Sequence, residues 1–154
     1  MKSYKQIIST LIKKNISISI VESCTGGLLS AEFTKVSGVS KIFNMGIVAY
    51  SNEAKSKMLK IPKTYFKTNS AVSRKTAILM VRKINKISNS KLTISITGIA
   101  GPNGGSKKKP VGLVYMGLLY KNKLICMNKI FKGSRKEIQK KSIKHIFNTI
   151  EKLI

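Results

Sequence analysis

With 154 residues and 42% apolar side chains, the chain is long enough for one domain with a genuine core and too apolar to be disordered. A formal charge of +25 suggests nucleic acid, yet of 30 basic residues only Arg74, Arg82 and Arg135 are arginine, the type that base readout and bidentate phosphate contacts favour. The lysines run along the whole chain and aspartate is absent; a biased base composition in the coding DNA produces this pattern, and nucleic-acid binding is not expected despite the charge.

No apolar run approaches the roughly 18 residues of a membrane helix. Lys13 and Lys14 close the N-terminal apolar patch too early for a secretion signal, so no membrane partner is expected and the cytoplasm is the expected location. Two cysteines, Cys24 and Cys126, one histidine, His145, and no CxxC spacing argue against a disulfide framework or a zinc site. Neither a metal nor a cofactor is expected.

In chain order, residues 4–14 read as an amphipathic helix with Ile7, Ile8, Leu11 and Ile12 on one face, and 16–21 as a short buried strand. A helix runs from Thr25 to about Lys35 with Leu28, Leu29 and Phe33 inward, and "SGVSK" breaks it. A strand at 46–50 leads to a helix capped by Ser51 and running through about Lys60. After the loop "KTYFKTNSAV", Ser73 caps a longer helix with Ala77, Met80, Val81 and Ile84 inward. Strand 92–97 enters the glycine-rich loop "GIAGPNGGSKKKP". Strands 111–119 and about 124–131 follow, joined by a turn so short that they must pair antiparallel. "SRKE" from Ser134 is a capping box opening the last helix, with Ile143, Ile146, Phe147 and Ile150 inward. The alternation predicts a mixed sheet covered by helices on both faces. Three unusual turns, 22–27, 50–55 and 97–105, each follow a strand, and ligands bind where strand ends meet helix starts.

Those turns offer few catalytic options. Without aspartate, and with the single histidine on the last helix, no Ser-His-Asp triad can be assembled. A serine or cysteine nucleophile with a lysine or tyrosine base remains. Ser23 precedes a helix start, where free N–H groups around Thr25 and Gly26 can hold an oxyanion. Lys55 lies in the first turns of its helix, where the dipole and the surrounding lysines lower its pKa, and Tyr50 is placed to relay the proton or orient it. Cys24 is the stronger intrinsic nucleophile, but alternation points it into the core. Each residue also has a plainer reading: Ser23 as a helix cap, Tyr50 as an edge-of-core tyrosine, Lys55 as one solvated lysine among many. The loop at 98–105 is either a long turn or a phosphate cradle with Lys107, Lys108 and Lys109 as counter-charge; no GKS or GKT follows it, so it is not a nucleoside-triphosphate loop. The residues alone lead to a small α/β enzyme or binder of a phosphorylated small molecule.

"ESCTGG" (22–27), "GIVAYSNEAK" (46–55), "AVS" (71–73), "TGIAGPNGG" (97–105) and "KPVG" (109–112) together resemble, in order and over nearly the whole chain, the CinA C-terminal domain family. Stand-alone members of that family include the bacterial nicotinamide mononucleotide deamidase. The resemblance implies a single domain over 1–154, folded as a three-layer α/β/α sandwich and often dimeric. It also implies hydrolysis of nicotinamide mononucleotide to nicotinate mononucleotide and ammonia in pyridine-nucleotide salvage. The expectation is a stand-alone protein without the molybdopterin-binding-like N-terminal domain of larger members. By motif, the family's catalytic serine, tyrosine and lysine fall on Ser23, Tyr50 and Lys55. Ligand contacts are implied for Glu22, Thr25, Gly26, Ser40, Gly101, Gly104 and Gly105. Ser40 matches one serine of a position that usually reads Gly-Ser-Ser; Ser70 replaces the usual glycine before "AVS", and Arg74 the usual acid after it. The alternative is a binder of phosphorylated metabolites that has lost the activity.

Overall fold

A computed structural model describes residues 2–154. Helix α1 (Tyr4–Lys13) buries Ile7, Ile8 and Leu11, with Ile12 partly buried beside them. Strand β1 (Ile18–Glu22) is buried at every position and extends one residue further than predicted, to Glu22. Helix α2 (Leu28–Thr34) starts three residues later than predicted. Gly26 and Gly27 hold φ of +59° and +99°, a left-handed path incompatible with the helix, so Leu28 is left 43% exposed instead of packing inward.

Strand β2 (Phe43–Val48) lies earlier than predicted, and helix α3 (Asn52–Leu59) is capped by the Ser51 hydroxyl on the Ala54 amide. A short helix α4 (Tyr65–Thr68) sits in the segment predicted as loop. Helix α5 (Arg74–Ser88) follows its Ser73 cap, burying Ala77, Met80, Val81 and Ile84 as expected. Strands β3 (Leu92–Gly98), β4 (Leu113–Tyr120) and β5 (Lys123–Ile130) complete the sheet. Helix α6 (Arg135–Leu153) opens with the Ser134–Glu137 capping box and buries all four predicted residues.

The sheet order is β2-β1-β3-β4-β5, parallel across β2, β1 and β3 and antiparallel from β3 to β5. Helices α1, α2 and α6 cover one face, where Phe33 and Phe147 stack at 5.1 Å between ring centres; α3 and α5 cover the other, over Val21, Ile47 and Ala49. The expected three-layer α/β/α sandwich with a mixed central sheet is therefore the observed fold. On the α5 face β3 presents small polar groups: Ser95 donates to the Ala77 carbonyl (2.7 Å) and Thr97 to the Ala71 carbonyl (2.8 Å), while the buried Thr93 Oγ1 has no partner within the chain.

This topology positions the site. From the central β1 the chain crosses through α2 to β2 on one side, then returns through α3 and α5 on the opposite face to β3 on the other side. The two connections run in opposite directions across the sheet, which opens a crevice at the carboxyl end of β1, beside Ser23. No helix among the described residues is long and apolar enough to cross a membrane.

Candidate active site

The three turns after β1, β2 and β3 meet in one cleft of about 240 Å³, whose walls include Ser23, Tyr50, Lys55, Thr97, Gly101 and Gly104. Lys55 reaches it from the first turn of α3 and is 1% exposed. Its ammonium donates to three neutral acceptors, the Ala49 carbonyl (3.0 Å), the Tyr50 carbonyl (3.4 Å) and Ser23 Oγ (3.1 Å). Burial lowers the Lys55 pKa from its ordinary 10.5. Desolvation is thus the leading cause, ahead of the helix end invoked from sequence. A Cys24 thiolate would oppose the shift, but burial pushes that thiol up to about 12, so it is neutral at lower pH. Once Lys55 is neutral, two hydrogens still serve the carbonyls and the nitrogen lone pair faces the Ser23 hydroxyl. That is the geometry of a general base on a nucleophile.

Cys24, though adjacent, packs into the core at 6% exposure, and its carbonyl accepts from Gln139 Nε2 (2.9 Å). Its high thiol pKa disfavours the reactive thiolate, which leaves Ser23 as the candidate nucleophile of the turn. The Gly26 amide, one of the expected oxyanion donors, is engaged by the Ser23 carbonyl (3.0 Å), and the Gly27 amide by Glu22 (3.2 Å). Among the described residues, the Cys24 and Thr25 amides have no acceptor within the chain and remain the turn's available donors.

Tyr50 departs from the relay geometry. The residue is 56% exposed and its phenol oxygen accepts from Arg135 Nη1 (3.1 Å); the Tyr50 backbone carbonyl, not the phenol, touches Lys55. Lys55 reaches Ser23 without an intermediary. Arg135, at the start of α6, also lines the cleft and was missed from sequence because it reads there only as part of a capping box. Its one available signal was rarity, as one arginine of three among 30 basic residues.

The remaining expected ligand contacts divide. Gly101 and Gly104 line the cleft, while Gly105 lines an adjoining depression of about 490 Å³ that shares Asn103 and Gly104 with it. Ser40 sits exposed on a 3₁₀ turn (Val39–Lys41) and Gly26 is exposed after the turn; neither lines the cleft. Thr25 is fully buried, with an unpartnered Oγ1. Glu22 is also corrected: it is 0% exposed, and its carboxylate accepts from the amides of Gly27, Leu29 and Ser30 and from the Ser30 hydroxyl at 2.7–3.2 Å. It anchors the start of α2 instead of facing a ligand, because the two left-handed glycines fold the helix end back over it. Glu22→Ala strands these donors in the interior and is expected to lower unfolding free energy by about 2–4 kcal/mol, measured by denaturant titration.

A larger cavity of about 800 Å³ at the opposite end of the sheet is lined by Lys14, Lys91, Tyr120 and Lys152 among others and contains none of these groups. The Ser23–Lys55 pair and the glycine loop line the smaller cleft.

The model of the CinA C-terminal domain matches residues 1–154. The CinA-like protein of Kosmotoga olearia is 44% identical over 142 residues, covering 92% of this chain and 34% of that protein. The CinA-like protein of Dictyoglomus turgidum is 43% identical over 133 residues, covering 86% and 32%. Among solved structures, the competence/damage inducible protein CihA from Agrobacterium tumefaciens is 33% identical with a TM-score of 0.91, covering 97% of this chain and 92% of that one. The chain spans about a third of the length of these two CinA-like relatives. With the family model matched from end to end, the chain belongs to the CinA C-terminal domain family.

Proposed function

We propose that this domain is an amidohydrolase that converts nicotinamide mononucleotide to nicotinate mononucleotide and ammonia, acting in pyridine-nucleotide salvage in the cytoplasm. The observation that carries the reading is the buried Lys55 amine 3.1 Å from Ser23 Oγ on the wall of a glycine-lined cleft. Neutral Lys55 takes the Ser23 proton as Oγ attacks the carboxamide carbon, and the amides of Cys24 and Thr25 receive the developing oxyanion. The tetrahedral intermediate collapses, Lys55 returns the proton to the departing nitrogen, and ammonia leaves an ester on Ser23. Water, deprotonated by the same amine, attacks that ester; the new acid is released and Ser23 regains its proton.

The cleft alone is smaller than the roughly 300 Å³ at which small-molecule sites begin. A mononucleotide therefore extends across the Asn103–Gly104 ridge into the adjoining depression, with its phosphate on the backbone of the glycine loop. Arg135 uses one donor on Tyr50 and has others for the ligand's anionic end. Arg135→Met is accordingly expected to raise KM about 10- to 100-fold and to leave kcat within about threefold in steady-state assays.

The test is ammonia release by purified protein from nicotinamide mononucleotide, nicotinamide riboside and free nicotinamide, with the acid product identified by chromatography. The reading expects turnover of the mononucleotide first. Thermal stabilisation by the mononucleotide without any product would establish the binding-only alternative in its place.

A further inference from the structure

Five of the nine residues lining the cavity of about 800 Å³ at the far end of the sheet are lysines: Lys14, Lys91, Lys121, Lys123 and Lys152. Charged residues of all types make up 23% of the chain, so evenly scattered lysine does not produce this convergence. Helix ends explain part of it. Lys14 follows α1 and Lys152 lies in the last turn of α6, where a cation answers the helix dipole. Lys121 and Lys123 belong to the β4–β5 hairpin and Lys91 to the segment before β3, outside any helix.

Among the described residues, no carboxylate side chain lines this cavity. Other hollows are balanced: the one beside Lys140, Lys141 and Lys144 includes Glu32, and the one beside Lys63 includes Glu53. Glu151, next to Lys152 in sequence, accepts from the Lys2 amide (3.0 Å). The ion pairs among the described residues, Lys35–Glu32 and Lys57–Glu53, lie elsewhere. Lys14 donates to the Ile154 carbonyl and Lys91 to the Asn15 carbonyl (2.9 Å), and an ammonium with three donors keeps two in reserve.

Charge of one sign in a concave site focuses the field and draws anions in, and lysine holds phosphate as a point charge. The wall is not only charged. Ile16, Leu153 and the half-buried Tyr120 give it an apolar side, with Lys121 Nζ 5.3 Å from the centre of the Tyr120 ring. The volume falls within the roughly 300–1,000 Å³ of small-molecule sites.

We propose that this cavity binds a nucleoside polyphosphate, with its phosphates among the lysines and its base and ribose against Tyr120, Ile16 and Leu153. The apolar side selects a nucleotide over bare polyphosphate, and the concavity selects a small molecule over a flat surface. This site stands apart from the proposed reaction, whose cleft lies at the other end of the sheet.

Calorimetry with magnesium-free ATP at about 0.15 M salt tests it. One ATP per chain is expected, with inorganic triphosphate at least about tenfold weaker and adenosine silent. The triple variant Lys121→Ser, Lys123→Ser, Lys152→Ser is expected to weaken ATP at least about 30-fold, whereas Lys63→Ser, Lys67→Ser, Lys86→Ser, with the same loss of charge elsewhere, stays within about threefold. Amine acetylation of the wild type covers a triple variant that fails to fold: ATP is expected to protect Lys121, Lys123 and Lys152 but not Lys63, Lys67 or Lys86. No ATP binding, triphosphate or adenosine binding as tightly as ATP, equal losses in the two triple variants, or protection without preference for the cavity lysines would each overturn the proposal. A single-stranded oligonucleotide that outcompetes ATP at the cavity lysines would overturn it in favour of nucleic acid.

Discussion

Ser23→Ala is expected to reduce kcat for nicotinamide mononucleotide by at least about 10³-fold with little change in KM, because it removes the attacking atom but none of the proposed ligand-holding groups. The substitution leaves Lys55 buried with its two carbonyl acceptors, so the fold should be retained and the loss is chemical. The adjacent thiol should not substitute: burial pushes Cys24 up to about 12, and its side chain packs into the core. Cys24→Ala is therefore expected to keep most of the activity. Wild-type turnover in Ser23→Ala, or its loss in Cys24→Ala alone, would transfer the nucleophile to the other residue.

Lys55→Met should separate activity from stability. Removing the base is expected to lower kcat by about 10²- to 10⁴-fold. Stability should move the other way. The Lys55 pKa is depressed in the folded chain, so between that lowered value and the ordinary 10.5 the unfolded state binds the extra proton. Unfolding free energy from this group therefore rises with pH across that window. Below the window the fold carries the full burden of a buried ammonium; above 10.5 the burden is gone. Methionine removes it at every pH, so the variant is expected to be about 0.5–2 kcal/mol more stable at neutral pH, with the difference closing as pH rises through the window. Denaturant titrations of both proteins across that range measure it. The same deprotonation sets the acid limb of the wild-type kcat/KM profile, which should rise as pH climbs through the lowered Lys55 value.

The sheet and its helices were legible because their apolar spacing is strong and their caps are explicit: Ser51, Ser73 and Ser134 each hold the predicted helix start. Boundaries failed where backbone conformation overrode side-chain pattern. Leu28 has the spacing of a core residue, but the left-handed glycines before it turn α2 so that it remains exposed. In the site, Ser23 and Lys55 could be singled out from strand-to-turn position and the chemistry left open by composition. The cause of the Lys55 shift could not, because burial depends on Ala49 and Tyr50 folding their carbonyls over an amine that in sequence is one of many. Glu22 failed for a related reason. A carboxylate in a reactive-looking turn suggests a ligand contact, and only the fold shows its oxygens occupied by the amides of Gly27, Leu29 and Ser30. Arg135 was invisible because its partner, Tyr50, lies 85 positions away in the chain.

Nitrogen-15 NMR titration of the Lys55 side chain, with its signal assigned by its disappearance in Lys55→Met, tests the base assignment without reference to any substrate. A midpoint clearly below 10.5, perturbed by Ser23→Ala, is the predicted result. A Lys55 amine that stays protonated to 10.5 or beyond and does not respond to Ser23→Ala would contradict the account.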